Sequence, residues 1–273
     1  MLGAVCVTGA ILAHPGLDQQ ILDLTAMIEK EPENAELYVR RAEIHRLHSD
    51  PGAAETDLNK ARQLAPDLPD IDLVMAWVKL DLQKPAEART ALDRLLQREP
   101  DSVRGLEARA RALELLGEHG RAAEDLTHAI RVTHGEPKPE WYLDRGRALV
   151  AAGQLDRALQ GLDEGLAKLG QPVTLQLLAI DIEQQKGRYD AALRRIDSIA
   201  AQSARQEPWL IRKGQILERA KRPADALAAY RSALAAIQQV PASRRQNRAL
   251  QALESEAAAA VARLSSSAGA VPP

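Results

Sequence analysis

Residues 35–66 read AELYVRRAEIHRLHSDPGAAETDLNKARQLAP, and residues 69–100 read PDIDLVMAWVKLDLQKPAEARTALDRLLQREP. Laid over one another at a shift of 34, they put Ala76 on Ala42, Ala88 on Ala54, Leu92 on Leu58 and Pro100 on Pro66. Pro32 stands one step further back. Proline cannot continue a helix, so each of these closes an apolar-periodic run. Carried outward, the alanine column continues as Ala54, Ala88, Ala122, Ala158, Ala192 and Ala226, at steps of 34, 34, 36, 34 and 34. The longer step reflects two extra residues in the linker GEPKP, Gly135 to Pro139.

Three further columns share the period. Twelve residues before each alanine stand Ala42, Ala76, Ala110, Gly146, Ile180 and Gly214. Four residues after it come Leu58, Leu92, Leu126, Leu162, Ile196 and Tyr230, and seven after it Ala61, Leu95, Ala129, Gly165, Ile199 and Ala233. A small residue on each of two helices lets their backbones approach, and a bulky residue one turn further on fills the space beside them. Each unit therefore reads as a helical hairpin. Turn-forming pieces sit between its helices, SDPGA at 49–53, LGEHG at 116–120, AAGQL at 151–155 and KGRYD at 186–190, where glycine supplies the left-handed conformation that ends a helix. A generic bundle would explain a period of 3.5 or 3.6, but not a recurrence of 34 shared by four columns.

Composition agrees. The 273 residues are 45% hydrophobic but only 3% aromatic, with no Phe, so Ala and Leu must build the core. Both are strong helix formers, which points to an all-α chain. Basic and acidic residues nearly balance, 36 against 38, which gives no electrostatic reason to seek nucleic acid. Cys6 is the single cysteine and has no partner for a disulfide or a cysteine metal site.

The 34-residue period, the small-residue columns, the mid-unit glycines Gly117, Gly153 and Gly187 and the closing prolines resemble the tetratricopeptide repeat family over roughly 35–240. The early aromatic positions survive as Tyr38, Trp141, Tyr142 and Trp209, and the closing proline is lost after the third unit. The resemblance implies a right-handed α-solenoid of about six hairpins, bounded at 35–68, 69–102, 103–138, 139–172, 173–206 and 207–240, with a cap helix at each end. The first cap is expected over 18–34, led by Ile21, Leu22, Leu24 and Ile28, and the second over 241–264, with Arg244, Arg245, Arg248, Glu254 and Glu256 on its polar face. Residues 265–273 read as a disordered tail.

The uncharged stretch MLGAVCVTGAILA at 1–13 is too short to span a bilayer but suits the apolar region of a secretory signal, so 1–17 is expected to be a signal or anchor segment, or else disordered. The mature chain would then have no membrane span and would be exported, periplasmic or secreted, from a bacterium. The alternative is a cytoplasmic protein in which 1–13 forms the first helix of a degenerate unit.

The sequence supplies little chemistry. His45 and His48 share a helical face near Glu43, which would make an incomplete metal site for a hydrolase, with no His-Glu-x-x-His sequence to support it. Gly165 to Gly170 has the glycine spacing of a phosphate loop, but Gln171 and Pro172 replace its lysine and hydroxyl residue. Acid pairs such as Asp23 with Glu29, or Glu254 with Glu256, read as solvated helix faces. No catalytic residue and no cofactor is expected.

The resemblance also implies where a partner would sit. First helices of the family line a concave face, which assigns Leu73 with Trp77, Glu107 with Arg111, Leu143 with Arg147, Leu177 with Asp181, and Ile211 with Gln215. The members of each pair are four apart and lie one above the other on a helix. Trp77 would anchor, and Arg111 and Arg147 would grip carboxylates. The carboxylate clamp of chaperone-binding members is absent, since Val39, Glu43, Leu73 and Trp77 occupy its positions. The expected function is a non-catalytic scaffold holding a protein or peptide, with an assembly or chaperone-like factor as the alternative and self-association through the solenoid ends as a further mode.

Overall fold

The computed structural model describes residues 15–268, and among them there are fifteen α-helices and no strand. The segment 1–13 with Cys6, and the last five residues of the expected tail, lie outside the described residues. The chain divides into two compact units, residues 1–137 and 138–273.

In the first unit, α1 (Pro15–Lys30) packs on α2 (Ala35–Leu47), which pairs with α3 (Pro51–Leu64). The pairs α4 (Pro69–Asp81) with α5 (Pro85–Arg98) and α6 (Val103–Leu115) with α7 (His119–Val132) follow. Local chemistry sets the boundaries. Asn34 caps α2 by accepting from the Glu36 N–H at 3.2 Å, and Asp50 caps α3 by accepting from the Ala53 N–H at 3.0 Å, with Pro51 at the first position where its missing N–H costs nothing. The closing proline is tied in as well, because the Tyr38 hydroxyl donates to the Pro32 carbonyl at 3.0 Å.

The second unit repeats the scheme with α8 (Pro139–Ala151) and α9 (Leu155–Lys168), α10 (Val173–Gln185) and α11 (Tyr189–Gln202), and α12 (Glu207–Arg219) and α13 (Pro223–Gln239). Its end differs from the single helix expected over 242–264. A four-residue helix α14 (Ala242–Arg245) is followed by a break, and α15 (Arg248–Ala268) begins where the Asn247 side chain accepts from the Ala249 N–H at 2.8 Å. Asn is a strong N-cap, so it starts a new helix rather than continuing the old one. Arg244 and Arg245 therefore stand on α14 and not on the helix that carries Glu254 and Glu256. The last helix also takes in the first four residues of the expected tail, and α1 starts three residues before Asp18, at a proline in its N-terminal turn.

The small columns sit where they must. Ala42, Ala54, Ala76, Ala88, Ala122, Ala158, Ala192 and Ala226 have no exposed surface. The turn between the helices of each hairpin uses the left-handed region at one recurrent position. Gly117, Gly153 and Gly187 hold it at φ 70 to 74°, and Ser49, Gln83 and Lys221 hold it at φ 57 to 63°. A side chain in that region costs about 1–2 kcal/mol.

Candidate binding surfaces

Within the first unit, α2 lies against α4 and α4 against α6, so the first helices form one layer. The residues assigned from the sequence differ in exposure there. Leu73 is buried in the core, 3% exposed, and cannot meet a partner; this corrects its assignment. It belongs to the apolar core shared by α2 to α5. Trp77 is half-buried and packs against that same core. Glu107 is half-buried, and Arg111 is exposed with no ion pair among the described residues. Leu47 and Leu115, at the ends of α2 and α6, are about half exposed, at 49% and 51%.

In the second unit Leu143 is half-buried and Arg147 is exposed, with Asp144 3.5 Å away. Leu177 packs on the core and Ile211 is buried within it. Asp181 accepts from Arg212 at 2.6 Å, and Gln215 donates to Glu256 on α15 at 2.6 Å. These two polar side chains thus link successive elements, and a ligand would have to compete for them.

His45 and His48 do not converge. The Nε2 of His45 lies 3.9 Å from Asp57, while that of His48 lies 3.0 Å from Asp18. Burial lowers the His45 pKa, with Asp57 opposing it. Among the described residues no group of three or more His, Cys, Asp or Glu side chains is placed to hold a metal ion.

Several charged side chains are buried and paired within the hairpins. Arg41 clamps Asp57 with two parallel bonds of 2.7 Å and reaches back to the Thr25 hydroxyl on α1 at 2.9 Å. Arg109 does the same one hairpin pair later, holding Asp125 with two bonds of 2.8 Å and reaching back to Asp93 on α5 at 3.0 Å. Hydrogen bonding to the carboxylate raises the pKa of both guanidiniums. Asp57 and Asp125 are buried, 5% and 7% exposed. The equivalent positions of the intervening hairpin, Met75 and Ala91, are both apolar and buried.

The second unit varies the theme. Arg145 meets Gly161 where an aspartate would be, and donates instead to the Gly161 carbonyl at 2.8 Å and to Glu164 at 2.9 Å. In the next hairpin the cation moves to the other helix: Arg195 reaches back to Asp163 at 2.8 Å and across to Glu183 at 3.2 Å. Lys213 then reaches back to Asp197 at 2.7 Å. The available signal was the sixteen-residue separation of Arg41 from Asp57, repeated in Arg109 and Asp125.

The tetratricopeptide repeat family matches residues 73–131 and 177–241. Among solved structures, the chain is similar to the C-terminal part of a TPR repeat-containing protein from Cytophaga hutchinsonii, with 13% identity and a TM-score of 0.66 over 87% of this chain and 94% of that one. PilW, described as a widely conserved type IV pilus biogenesis factor, has 20% identity and a TM-score of 0.56 over 68% and 86%. YrrB, described as a TPR protein with an unusual peptide-binding site, has 14% identity and a TM-score of 0.52 over 67% and 93%. No curated protein sequence matches.

Proposed function

Because this chain is a tetratricopeptide-repeat protein, we propose that it is a non-catalytic scaffold that holds a protein or peptide partner on the exposed side of its first helices. The observation that carries the reading is the layer of α2, α4 and α6, which leaves Arg111 exposed and without an ion pair among the described residues, one helical turn from the exposed Leu115. Most other arginines here are already engaged by carboxylates, so a free guanidinium on this face is available to fork onto a partner's carboxylate. Trp77, half-exposed in the middle helix, supplies apolar area, and Glu107 adds polarity. In the second unit the corresponding contacts fall to Leu143 and Arg147, with Asp181 and Gln215 contributing only after release from Arg212 and Glu256. A few such anchors would supply most of the binding energy.

Crosslinked affinity capture from the source cell tests this, comparing the wild type with a Trp77→Ala, Arg111→Ala, Arg147→Ala variant of equal helicity. Loss of the captured partner supports the reading, and unchanged capture places binding elsewhere. A second reading, an assembly or chaperone-like factor outside the cytoplasm, draws on the apolar stretch 1–13 and on the likeness to PilW. No helix of the described residues is long and apolar enough to cross a membrane. A fusion to a reporter active only after export decides the location, and an inactive fusion removes this second reading.

A further inference from the structure

One joint in the first unit is built unlike the next. Asp72, on α4 and only 3% exposed, accepts from three arginines. Arg62 on α3 donates Nη2 to Oδ1 at 2.8 Å, Arg94 on α5 donates Nη2 and Nε to the same oxygen at 2.8 and 3.2 Å, and Arg98 on α5 donates Nη2 to Oδ2. One hairpin further on, at a shift of 34, the counterparts of Arg62, Asp72 and Arg98 are Leu96, Leu106 and Val132. Those three pack together as a small apolar cluster with Ala129 and Val103. The fold can therefore make this joint from hydrocarbon alone. A buried ionic cluster is no more stabilising than well-packed apolar residues of similar volume, so stability does not explain why this joint is charged.

The charges at the joint do not balance. Three guanidiniums face one buried carboxylate, and among the described residues the only other acid within 4.0 Å of them is Asp67, 4.0 Å from Arg98 and 95% exposed, where water screens it. All three arginines are open to solvent, Arg62 at 37%, Arg94 at 44% and Arg98 at 33% of their side-chain surface. The Nη1 groups of Arg62 and Arg94 have no acceptor among the described residues. Asp72 thus acts as a template, collecting three forked donors from two helices and holding them beside one another with outward-facing N–H groups to spare. Two uncompensated positive charges in one place match a dianion, and forked guanidiniums match its oxygens in pairs.

We infer that Arg62, Arg94 and Arg98, gathered by Asp72, form a binding site for a phosphate-class dianion on the first unit. The site is separate from the partner face proposed above and does not depend on it. Its test uses the full chain and two probes, inorganic phosphate and phenyl phosphate, each titrated against chloride at matched ionic strength, with arginine Nε–Hε resonances and the melting temperature as readouts. Saturable shifts of the three arginine signals and a saturable rise in melting temperature are expected with at least one probe. Tighter binding of the ester identifies a phosphate monoester as the ligand, and equal or tighter binding of the inorganic ion identifies free phosphate.

The decisive variant is Arg62→Leu, Asp72→Leu, Arg98→Val, which copies the apolar joint that the chain already makes one hairpin later and should keep the fold. Its dianion affinity should fall more than tenfold. Arg94→Gln, at the most exposed of the three arginines, serves as a second variant that leaves the packing untouched and should weaken binding at least threefold. A wild type that responds to phosphate no more than to chloride overturns the proposal, as does equal binding by either folded variant.

Discussion

The ring of Tyr230 occupies the space that a side chain at Gly214 would need: a Cβ built on Gly214 would stand 2.7 Å from the Tyr230 Cζ. In the other hairpins the residue opposite is Leu or Ile, and Ala fits across from it in three of them. Glycine at 214 thus makes the room that the large ring at 230 fills. Gly214→Ala should destabilise the protein by about 1–3 kcal/mol through overpacking. Adding Tyr230→Leu should recover part of that loss even though it breaks the 2.7 Å bond from the Tyr230 hydroxyl to Glu218. Denaturant melts of the two single variants and the double variant measure the coupling, and strictly additive losses would show that the two sites are independent.

Arg109 and Asp125 make the same argument in charge. Arg109→Met alone strands the buried Asp125 carboxylate and should cost about 3 kcal/mol. Arg109→Met with Asp125→Ala reproduces Met75 and Ala91, the pair found in the preceding hairpin, and should cost far less than the single change. Equilibrium unfolding of both variants decides, and a double variant as unstable as the single one contradicts the prediction.

Lys221 holds a left-handed turn at φ 58° where three other hairpins use glycine. Lys221→Gly removes a strain of about 1–2 kcal/mol and returns about 0.4–1 kcal/mol of it through the freer unfolded chain. A net gain of up to about 1.6 kcal/mol is expected, read as a higher melting temperature.

His45 sets a pH response. Burial lowers its pKa below the ordinary 6.5, so the unfolded chain binds a proton that the folded chain resists. Stability from this group is complete above about pH 6.5 and falls away as the pH drops through the folded-state value. His45→Gln should flatten the dependence of the melting temperature between pH 7.5 and 5. An unchanged slope would assign the acid sensitivity to carboxylates such as Glu218, whose pKa is lowered by hydrogen bonding from Arg263.

The hairpin columns were legible because they are matters of volume: Ala42 and Ala54 have no exposed surface, and a residue held to one size at one spacing leaves a trace in a single sequence. The left-handed position was legible only where glycine fills it: Gln83 and Lys221 carry no sign of it, and in the turn SDPGA it falls on Ser49 and not on the glycine, which lies in α3. Leu73 looks in the sequence like any apolar residue of α4, and only the packed core shows that it is 3% exposed. The reading of acids as solvated holds for Asp23, Glu29, Glu254 and Glu256, which are exposed, and fails for Asp57, Asp72 and Asp125. A buried acid looks like any other in a sequence until its arginine is known, and those arginines come from other helices.

The pairing of Arg109 with Asp125, against Met75 with Ala91, also bears on how such a chain changes over generations. Passing from one solution to the other one residue at a time strands a charge unless another partner takes it up, as the Gly161 carbonyl and Glu164 do for Arg145. The hairpin of α6 and α7 is therefore the smallest piece of chain that carries both Arg109 and Asp125.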